Sequence, residues 1–89
     1  MDLIRVVANT QVSTVACFMK MIILSHTIAT DCEVYNEATN AQTVAKRKLY
    51  LRSNAQCLTK IVVFPGRGLR LQEGCFIDWK AGEIWVGMG

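Results

Sequence analysis

The chain has 89 residues, of which 52% are hydrophobic and 19% are charged, and its formal net charge at pH 7 is +3. A chain of this length forms a single domain (residues 1–89), and we expect some of its apolar surface to contact another subunit, because a small domain leaves much of its surface uncovered. The longest apolar run, residues 15–24, is interrupted by Lys20. It is too short for a membrane-spanning helix, which needs ~20 apolar residues.

The N-terminus and the charge distribution bear on location and partners. Asp2 stands where a signal peptide would carry positive charge, which predicts an intracellular origin. Residues 1–45 hold two basic and four acidic side chains, a balance of −2, whereas residues 46–89 hold eight basic and three acidic side chains, a balance of +5. This division favours either a nucleic-acid partner or a complementary contact between neighbouring copies.

The first half of the chain predicts three strands. Residues 2–8 form the first. Residues 12–25 are rich in β-branched and apolar side chains and predict one long strand, or two strands joined by a bulge near Lys20. A helix over residues 16–24 is the alternative, since Met, Leu and Ala tolerate either state. Residues 31–37 alternate between apolar and polar side chains, which indicates a half-buried strand.

The second half predicts five shorter strands separated by turn residues. Residues 46–52 form a strand with alternate leucines inward, and residues 58–64 form the next, which stops at Pro65. The last three cover residues 69–71, 75–79 and 83–87. About eight strands at this length predict an all-β fold, a small antiparallel β-sandwich of jelly-roll type. The predicted core contains Val34, Leu49, Leu51, Ile61, Val63, Leu69, Leu71, Ile77, Ile84 and Val86.

Few residues suggest chemistry. His26 is the only histidine, and the four cysteines form no Cys-x-x-Cys pair, so we predict buried free thiols, no metal and no cofactor, with two disulfides as the alternative. Asp78, flanked by bulky apolar residues, is expected to face solvent or to cap a turn, and its burial among those neighbours is the alternative. Residues 65–68 form a turn without the lysine and hydroxyl residue of a phosphate-binding loop. We therefore predict that the protein is not an enzyme.

A basic strand and a few outward residues are the candidates for contact with a partner. The basic group surrounds one aromatic ring, as at sites that pair phosphate with a stacked base, but the same pattern is typical of a solvated strand edge or a protein contact. Trp85 is predicted on the opposite face from Ile84 and Val86, so it either packs under a second layer or lies at a contact surface. The candidates are Lys46, Arg47, Lys48, Tyr50, Arg52, Arg67, Arg70 and Trp85.

Three segments, residues 19–25, 32–38 and 64–78, resemble small β-sandwich structural proteins of tailed-phage virions, of the capsid-decoration, head-fibre and neck type. The resemblance covers residues 19–89. It implies a non-enzymatic virion protein, made in the host cytoplasm, that decorates and cements the capsid as a homo-oligomer such as a trimer. Its partners would be further copies and the major capsid protein or another virion protein, reached through the basic strand or the Arg67 turn. A small basic β-barrel that binds nucleic acid is the alternative function.

Overall fold

A computed structural model describes residues 2–89, which form nine antiparallel strands and one 3-10 turn. Within those residues no helix is long and apolar enough to cross a membrane. The strands are β1 (Asp2–Val6), β2 (Thr10–Ser13), β3 (Cys17–Ser25), β4 (Asp31–Tyr35), β5 (Arg47–Arg52), β6 (Thr59–Val63), β7 (Leu69–Leu71), β8 (Cys75–Trp79) and β9 (Glu83–Met88), and the turn covers Val44–Lys46.

The strands pair as a nested set that defines a jelly roll. β1 pairs with β9, β2 with β8, β3 with β6, and β4 with β5, so the chain resembles one long hairpin folded over itself. The pairs alternate between a five-stranded sheet in the order β1-β9-β3-β6, with the short β7 also beside β3, and a four-stranded sheet in the order β2-β8-β4-β5. The predicted all-β sandwich of jelly-roll type is confirmed.

The strand count is nine rather than about eight because the predicted strand over residues 12–25 is two strands, one in each sheet. Between them Ser13 turns the chain locally: its Oγ donates to the carbonyl of Val15 at 2.9 Å and accepts from the amide of Val15 at 3.2 Å. The predicted bulge is present, since the register of β3 against β9 shifts between Met19 and Met21. The helix alternative for residues 16–24 is wrong.

The core lies between the two sheets and follows the alternation of each strand. Six of the predicted core residues are buried: Val34, Leu51, Leu71, Ile77, Ile84 and Val86. Leu49 and Leu69 are half-buried and pack against that core. The core also includes residues that the prediction omitted, among them Met19, Ile22, Leu24, Cys32 and Cys75.

Two predicted core residues, Ile61 and Val63, are on the opposite side of their sheet. Their side chains are 57% and 68% exposed. The register explains the error, because Val62 lies opposite Ile22, whose side chain is buried in the core. Since successive side chains of a strand point to opposite faces, Ile61 and Val63 then face outward.

The turn between β6 and β7 is pressed against β3. Gly66 and Gly68 have φ values of 63° and 99°, which favour glycine. A Cβ on Gly68 would overlap the carbonyl of Met19, so no other residue fits there without moving β3. The turn therefore holds Arg67 at the end of the five-stranded sheet.

Candidate interaction surface

The outer face of the five-stranded sheet carries two adjacent rows of mainly apolar side chains. Each row crosses β1, β9, β3 and β6 in register, and the residues between the rows, such as Ile22 and Val86, point into the core. The first row is Leu3, Gly87, Met21 and Val63, and the second is Arg5, Trp85, Ile23 and Ile61. We call these eight residues the outer apolar face.

Exposure on the outer apolar face is greatest at its two edges. Leu3 on β1 is 58% exposed, and Ile61 and Val63 on β6 are 57% and 68% exposed, while the central Met21, Ile23 and Trp85 are half-buried by their neighbours. A contiguous apolar patch of this kind, unlike single exposed apolar side chains, is a candidate interaction site. The patch extends to the free edge of β6.

Polar residues border this face at the end where Glu83, Ser25 and Thr59 form the next row. Arg5 donates to Glu83 through Nη2 at 2.5 Å and through Nε at 3.2 Å, and the indole Nε1 of Trp85 donates to Glu83 at 3.3 Å. These hydrogen bonds lower the pKa of Glu83. The charges near the face thus neutralise each other, leaving an apolar centre with a polar rim, as in protein interfaces.

The opposite end of the same face is basic. Arg70 lies across from Phe18, and the Nζ of Lys20 approaches the carbonyl of Gly66 at 3.4 Å, next to Arg67. Among residues 2–89, no carboxylate forms an ion pair with any of these three cations. This end of the sheet therefore presents unneutralised positive charge.

The outer face of the four-stranded sheet is polar, and its groups bind one another. The hydroxyl of Tyr35 donates to Glu33 at 2.6 Å, and Arg47 donates to the same carboxylate oxygen at 3.1 Å. The hydroxyl of Tyr50 donates to Asp31 at 2.7 Å. The ring of Tyr35 also contacts that of Phe76, with centroids 6.5 Å apart.

The hydrogen bond between Tyr35 and Glu33 shifts the pKa of both groups. It raises the pKa of Tyr35 to about 12, with burial and the nearby negative charge contributing in the same direction. It is also the main reason that the pKa of Glu33 is lowered, and Arg47 adds to that effect. The pair is thus held with the hydroxyl protonated and the carboxylate charged.

Asp78 departs from its prediction. It is 5% exposed and lies opposite Glu33 in the sheet, where the ammonium of Lys80 reaches it at 3.1 Å. The expected solvent-facing or turn-capping aspartate is therefore wrong. Lys80 follows Asp78 by two residues, so this ion pair is local in the sequence, but the burial of Asp78 depends on the pairing of β8 with β4, which a local pattern does not show.

The predicted basic strand is largely occupied by contacts within the chain. Lys46 lies in the 3-10 turn before β5 and binds Glu73 at 2.9 Å. Arg47 binds Glu33, and its guanidinium also lies 5.5 Å from the centroid of the Tyr50 ring. Lys48 and Arg52 are exposed, and within residues 2–89 neither has an ion-pair partner.

The structure therefore does not gather the eight predicted contact residues into one patch. Lys48, Tyr50 and Arg52 lie on β5 in the four-stranded sheet, whereas Arg67 and Arg70 lie at the end of the five-stranded sheet. Trp85 alone belongs to the outer apolar face, as the alternation around it predicted. The other apolar members of that face were missed.

All four cysteines are free thiols. Cys32 and Cys75 are buried, and burial is the main reason that the pKa of each rises to about 12. Cys57 departs from the expected burial, because it is exposed in the turn before β6, where its Sγ donates to the carbonyl of Thr59 at 3.1 Å. Within residues 2–89 no three histidine, cysteine or acidic side chains converge to hold a metal ion.

An open cleft of about 430 Å³ lies where β4 begins and β5 ends. Its walls include Thr30, Asp31, Arg52 and Ser53. The Ser53 hydroxyl accepts from the amide of Thr30 at 2.9 Å and donates to its carbonyl at 3.1 Å, so it closes the end of the sheet. The Ser53 hydroxyl thus donates to a backbone carbonyl and not to the carboxylate of Asp31.

The residues of the outer apolar face carry one signal in the sequence. Residues 58–64 are apolar on both faces of the strand, which is unusual for a strand that has one face in water.

Comparison of the chain with protein-family models, with curated proteins and with solved structures finds no match.

Proposed function

We propose that the protein is a non-enzymatic structural component that associates with copies of itself through the outer apolar face. The two apolar rows across β1, β9, β3 and β6 carry this proposal. Burying the exposed side chains of Ile61 and Val63, on the β6 side of this face, would remove apolar surface from water, which contributes roughly 25 cal/mol per Å².

The setting we propose is a virus particle, as a capsid-decoration protein. The resemblance of residues 64–78 to phage virion proteins supports this setting, and the jelly roll is compatible with it, since that architecture serves in viral capsids. Lectin and cupin domains share the architecture, so it does not by itself choose a function. The second partner would be the major capsid protein or another virion protein.

We base the contact on apolar surface rather than on charge. In the acidic first half, Asp31 and Glu33 accept hydrogen bonds from Tyr50, Tyr35 and Arg47 of the same chain. Glu37 is buried and accepts from the amide of Thr43 at 3.1 Å. These carboxylates offer little free charge to the basic strand of a neighbouring copy.

Nucleic-acid binding is the alternative outcome of the test. Phosphate would have to compete with Glu73 for Lys46 and with Glu33 for Arg47. Six cations nevertheless have no ion-pair partner within residues 2–89 and would be available to phosphate: Lys20, Lys48, Arg52, Lys60, Arg67 and Arg70.

Sedimentation velocity over a hundredfold range of concentration tests the proposal. We expect the wild-type chain to form an oligomer and the double variant Ile61→Lys/Val63→Lys to remain monomeric, because it places charge in the centre of the buried contact. The control is Lys48→Glu/Arg52→Glu, which alters two equally exposed strand positions in the other sheet. It should associate like the wild type.

The same samples are measured with a 20-nucleotide single strand at low and at high salt. A wild-type chain that stays monomeric at every concentration and binds the strand with an affinity that falls steeply with salt contradicts the proposal. In that case the Lys48→Glu/Arg52→Glu control is the variant that loses binding.

A further inference from the structure

The backbone of β6 has a free side, because among the strands formed by residues 2–89 it pairs with β3 only. The amide of Phe64 donates to the carbonyl of Lys20 at 2.9 Å, which identifies these two residues as a hydrogen-bonded pair. Hydrogen-bonded pairs alternate with non-hydrogen-bonded pairs along an antiparallel ladder. The backbones of Val62 and Lys60, two and four residues before Phe64, therefore also hydrogen-bond to β3. The N–H and C=O groups of Thr59, Ile61 and Val63 therefore point away from β3 to the open edge.

We propose that β6 pairs antiparallel with β6 of a second copy, with Ile61 opposite Ile61 of that copy on a two-fold axis. This inference rests on the proposed self-association and assigns it a geometry. In this register Thr59 lies opposite Val63 of the second copy, and Val63 opposite its Thr59. All three residues with outward-pointing backbone groups then face each other, and each opposed pair exchanges two hydrogen bonds.

The side chains favour the same register. Ile61 and Val63 of both copies fall on one face, so the outer apolar face becomes continuous across the axis. Lys60 lies opposite Val62 of the second copy. A register centred on Lys60 would oppose two lysines, and one centred on Val62 would oppose Thr59 to Pro65, which has no N–H to donate.

Among the other edge strands, β5 is also of comparable length but does not fit this role. Pairing β5 with itself would bring together Arg47, Lys48 and Arg52 of two copies, and like charges across a strand pair are destabilising. Lysine on an edge is a common protection against unwanted pairing. On β6 the only charge, Lys60, lies on the inner side of the sheet, opposite Leu24, and leaves the outer side apolar.

Amide hydrogen exchange followed by NMR tests this geometry on the wild-type chain. The amides of Lys60, Val62 and Phe64 should exchange slowly at every protein concentration, because they bond to β3. Those of Thr59, Ile61 and Val63 should exchange rapidly when the protein is dilute and at least tenfold more slowly when it is associated. Rapid exchange of these three amides in the associated protein would overturn the proposal while leaving self-association intact.

Two substitutions at one position separate backbone pairing from side-chain packing. Ile61→Pro removes an N–H that points away from β3, and proline is tolerated at such edge positions, so the fold should persist and the dimer should be lost. Ile61→Thr retains the N–H and should dimerise at least tenfold more tightly than Ile61→Pro. Thermal unfolding of dilute samples checks that both variants are folded.

Each oligomeric outcome is informative. A dimer that Ile61→Pro disrupts and Ile61→Thr retains is the expected result. Equal loss in both variants would assign the contact to the face of the sheet rather than to its edge and would overturn the proposal. A wild-type trimer would also overturn it, because a two-fold edge contact closes at two copies, yet it would preserve the proposed function. A wild-type monomer would overturn both.

Discussion

The outer faces of the two sheets differ in how their surface groups are satisfied. On the four-stranded sheet, Glu33 accepts hydrogen bonds from both Tyr35 and Arg47, and Asp78 is paired with Lys80. On the five-stranded sheet, Ile61 and Val63 project from an edge strand, and within residues 2–89 no other side chain covers them. The polar groups of one face are satisfied within a single chain, and the other face is the one that we propose a partner contacts.

The contrast indicates which substitutions affect the fold and which affect assembly. Removing a group from the polar face leaves its neighbours without partners in the same chain, so folding stability falls. Removing a side chain from the edge of the apolar face changes little in the monomer, because that side chain is already in water. The substitution should therefore weaken association without weakening the fold.

The largest effect on folding is expected from Glu33→Ala. Its side chain is 15% exposed, and the substitution leaves the hydroxyl of Tyr35 and the guanidinium of Arg47 unpaired. We expect a loss of about 1–3 kcal/mol in the free energy of unfolding. The matched substitution on the other sheet, Val63→Ala, should change it by no more than about 0.5 kcal/mol. Urea denaturation of dilute, monomeric samples measures both.

Association should show the reverse order for the same two variants. Val63→Ala should weaken the oligomer, whereas Glu33→Ala should leave its dissociation constant close to that of the wild type. Equal effects of the two variants on stability, or a stronger effect of Glu33→Ala on association, would contradict the contrast between the faces.

Acid should weaken the hydrogen bonds of Glu33 on the polar face. Glu33 has a folded-state pKa below its ordinary value of 4.5, so its contribution is fully present above pH 4.5 and is lost as the pH falls through the lower, folded-state pKa. The hydrogen bond from Tyr35 is the main cause of the lowered pKa of Glu33. Tyr35→Phe should therefore lose less stability than the wild type between pH 5 and about pH 3. Unfolding curves across that range measure the difference, and parallel losses would contradict the assignment.

At alkaline pH, folding stability should fall as the pH rises. The pKa of Tyr35 rises from an ordinary 10.0 to about 12, so its contribution is present below pH 10 and is lost as the pH rises towards 12. The pKa values of Cys32 and Cys75 likewise rise from an ordinary 9.0 to about 12, so the contributions of these thiols to stability are lost as the pH rises over that range. Tyr35→Phe should therefore lose less stability than the wild type between pH 10 and 12. It should retain the loss of stability that begins near pH 9, which comes from Cys32 and Cys75.

The sequence predicted the faces of strands that alternate clearly. On β4 and β5, polar residues separate Val34, Leu49 and Leu51, and these three residues point inward as expected. Residues 58–64 contain apolar side chains at both odd and even positions, so alternation could not decide which face was buried. The pairing of Val62 with Ile22 decides it, and pairing partners far apart in the chain are not visible in a local pattern.

The division of residues 12–25 was missed for a related reason. No glycine or proline interrupts this stretch, and the change of sheet depends on hydrogen bonds that Ser13 makes with Val15. The candidate site was partly predicted: the alternation around Ile84 and Val86 indicated that Trp85 faces the other way. The ion pairs of Lys46 and Arg47 were not predicted, because their partners Glu73 and Glu33 come from distant parts of the chain.

Thiol reactivity should distinguish the edge region from the layer beneath the polar sheet. Cys57 is exposed in the turn before β6, so it should react first with a thiol reagent at pH 8. Cys32 and Cys75 should resist, because burial keeps them protonated. After denaturation without reductant, all four cysteines should titrate. Rapid reaction of Cys32 in the native protein would contradict the packing described for β4.

The smallest effect is expected from Tyr50→Phe. This substitution removes the hydroxyl with which the exposed Tyr50 on β5 donates to Asp31, the first residue of β4, in a hydrogen bond that water can replace. The free energy of unfolding should change by no more than about 0.5 kcal/mol. A loss as large as that of Glu33→Ala would show that the exposed and the buried parts of the polar face contribute equally.

The most direct test of the apolar contact surface is the accessibility of position 61, because Ile61 is 57% exposed on β6 and lies on the proposed two-fold axis. In the triple variant Ile61→Trp/Trp79→Phe/Trp85→Phe, the tryptophan at position 61 is the only one in the chain. We predict that acrylamide quenching of its fluorescence decreases as the protein concentration rises through the association range. Quenching that stays constant while sedimentation shows an oligomer would place the contact elsewhere and contradict the account.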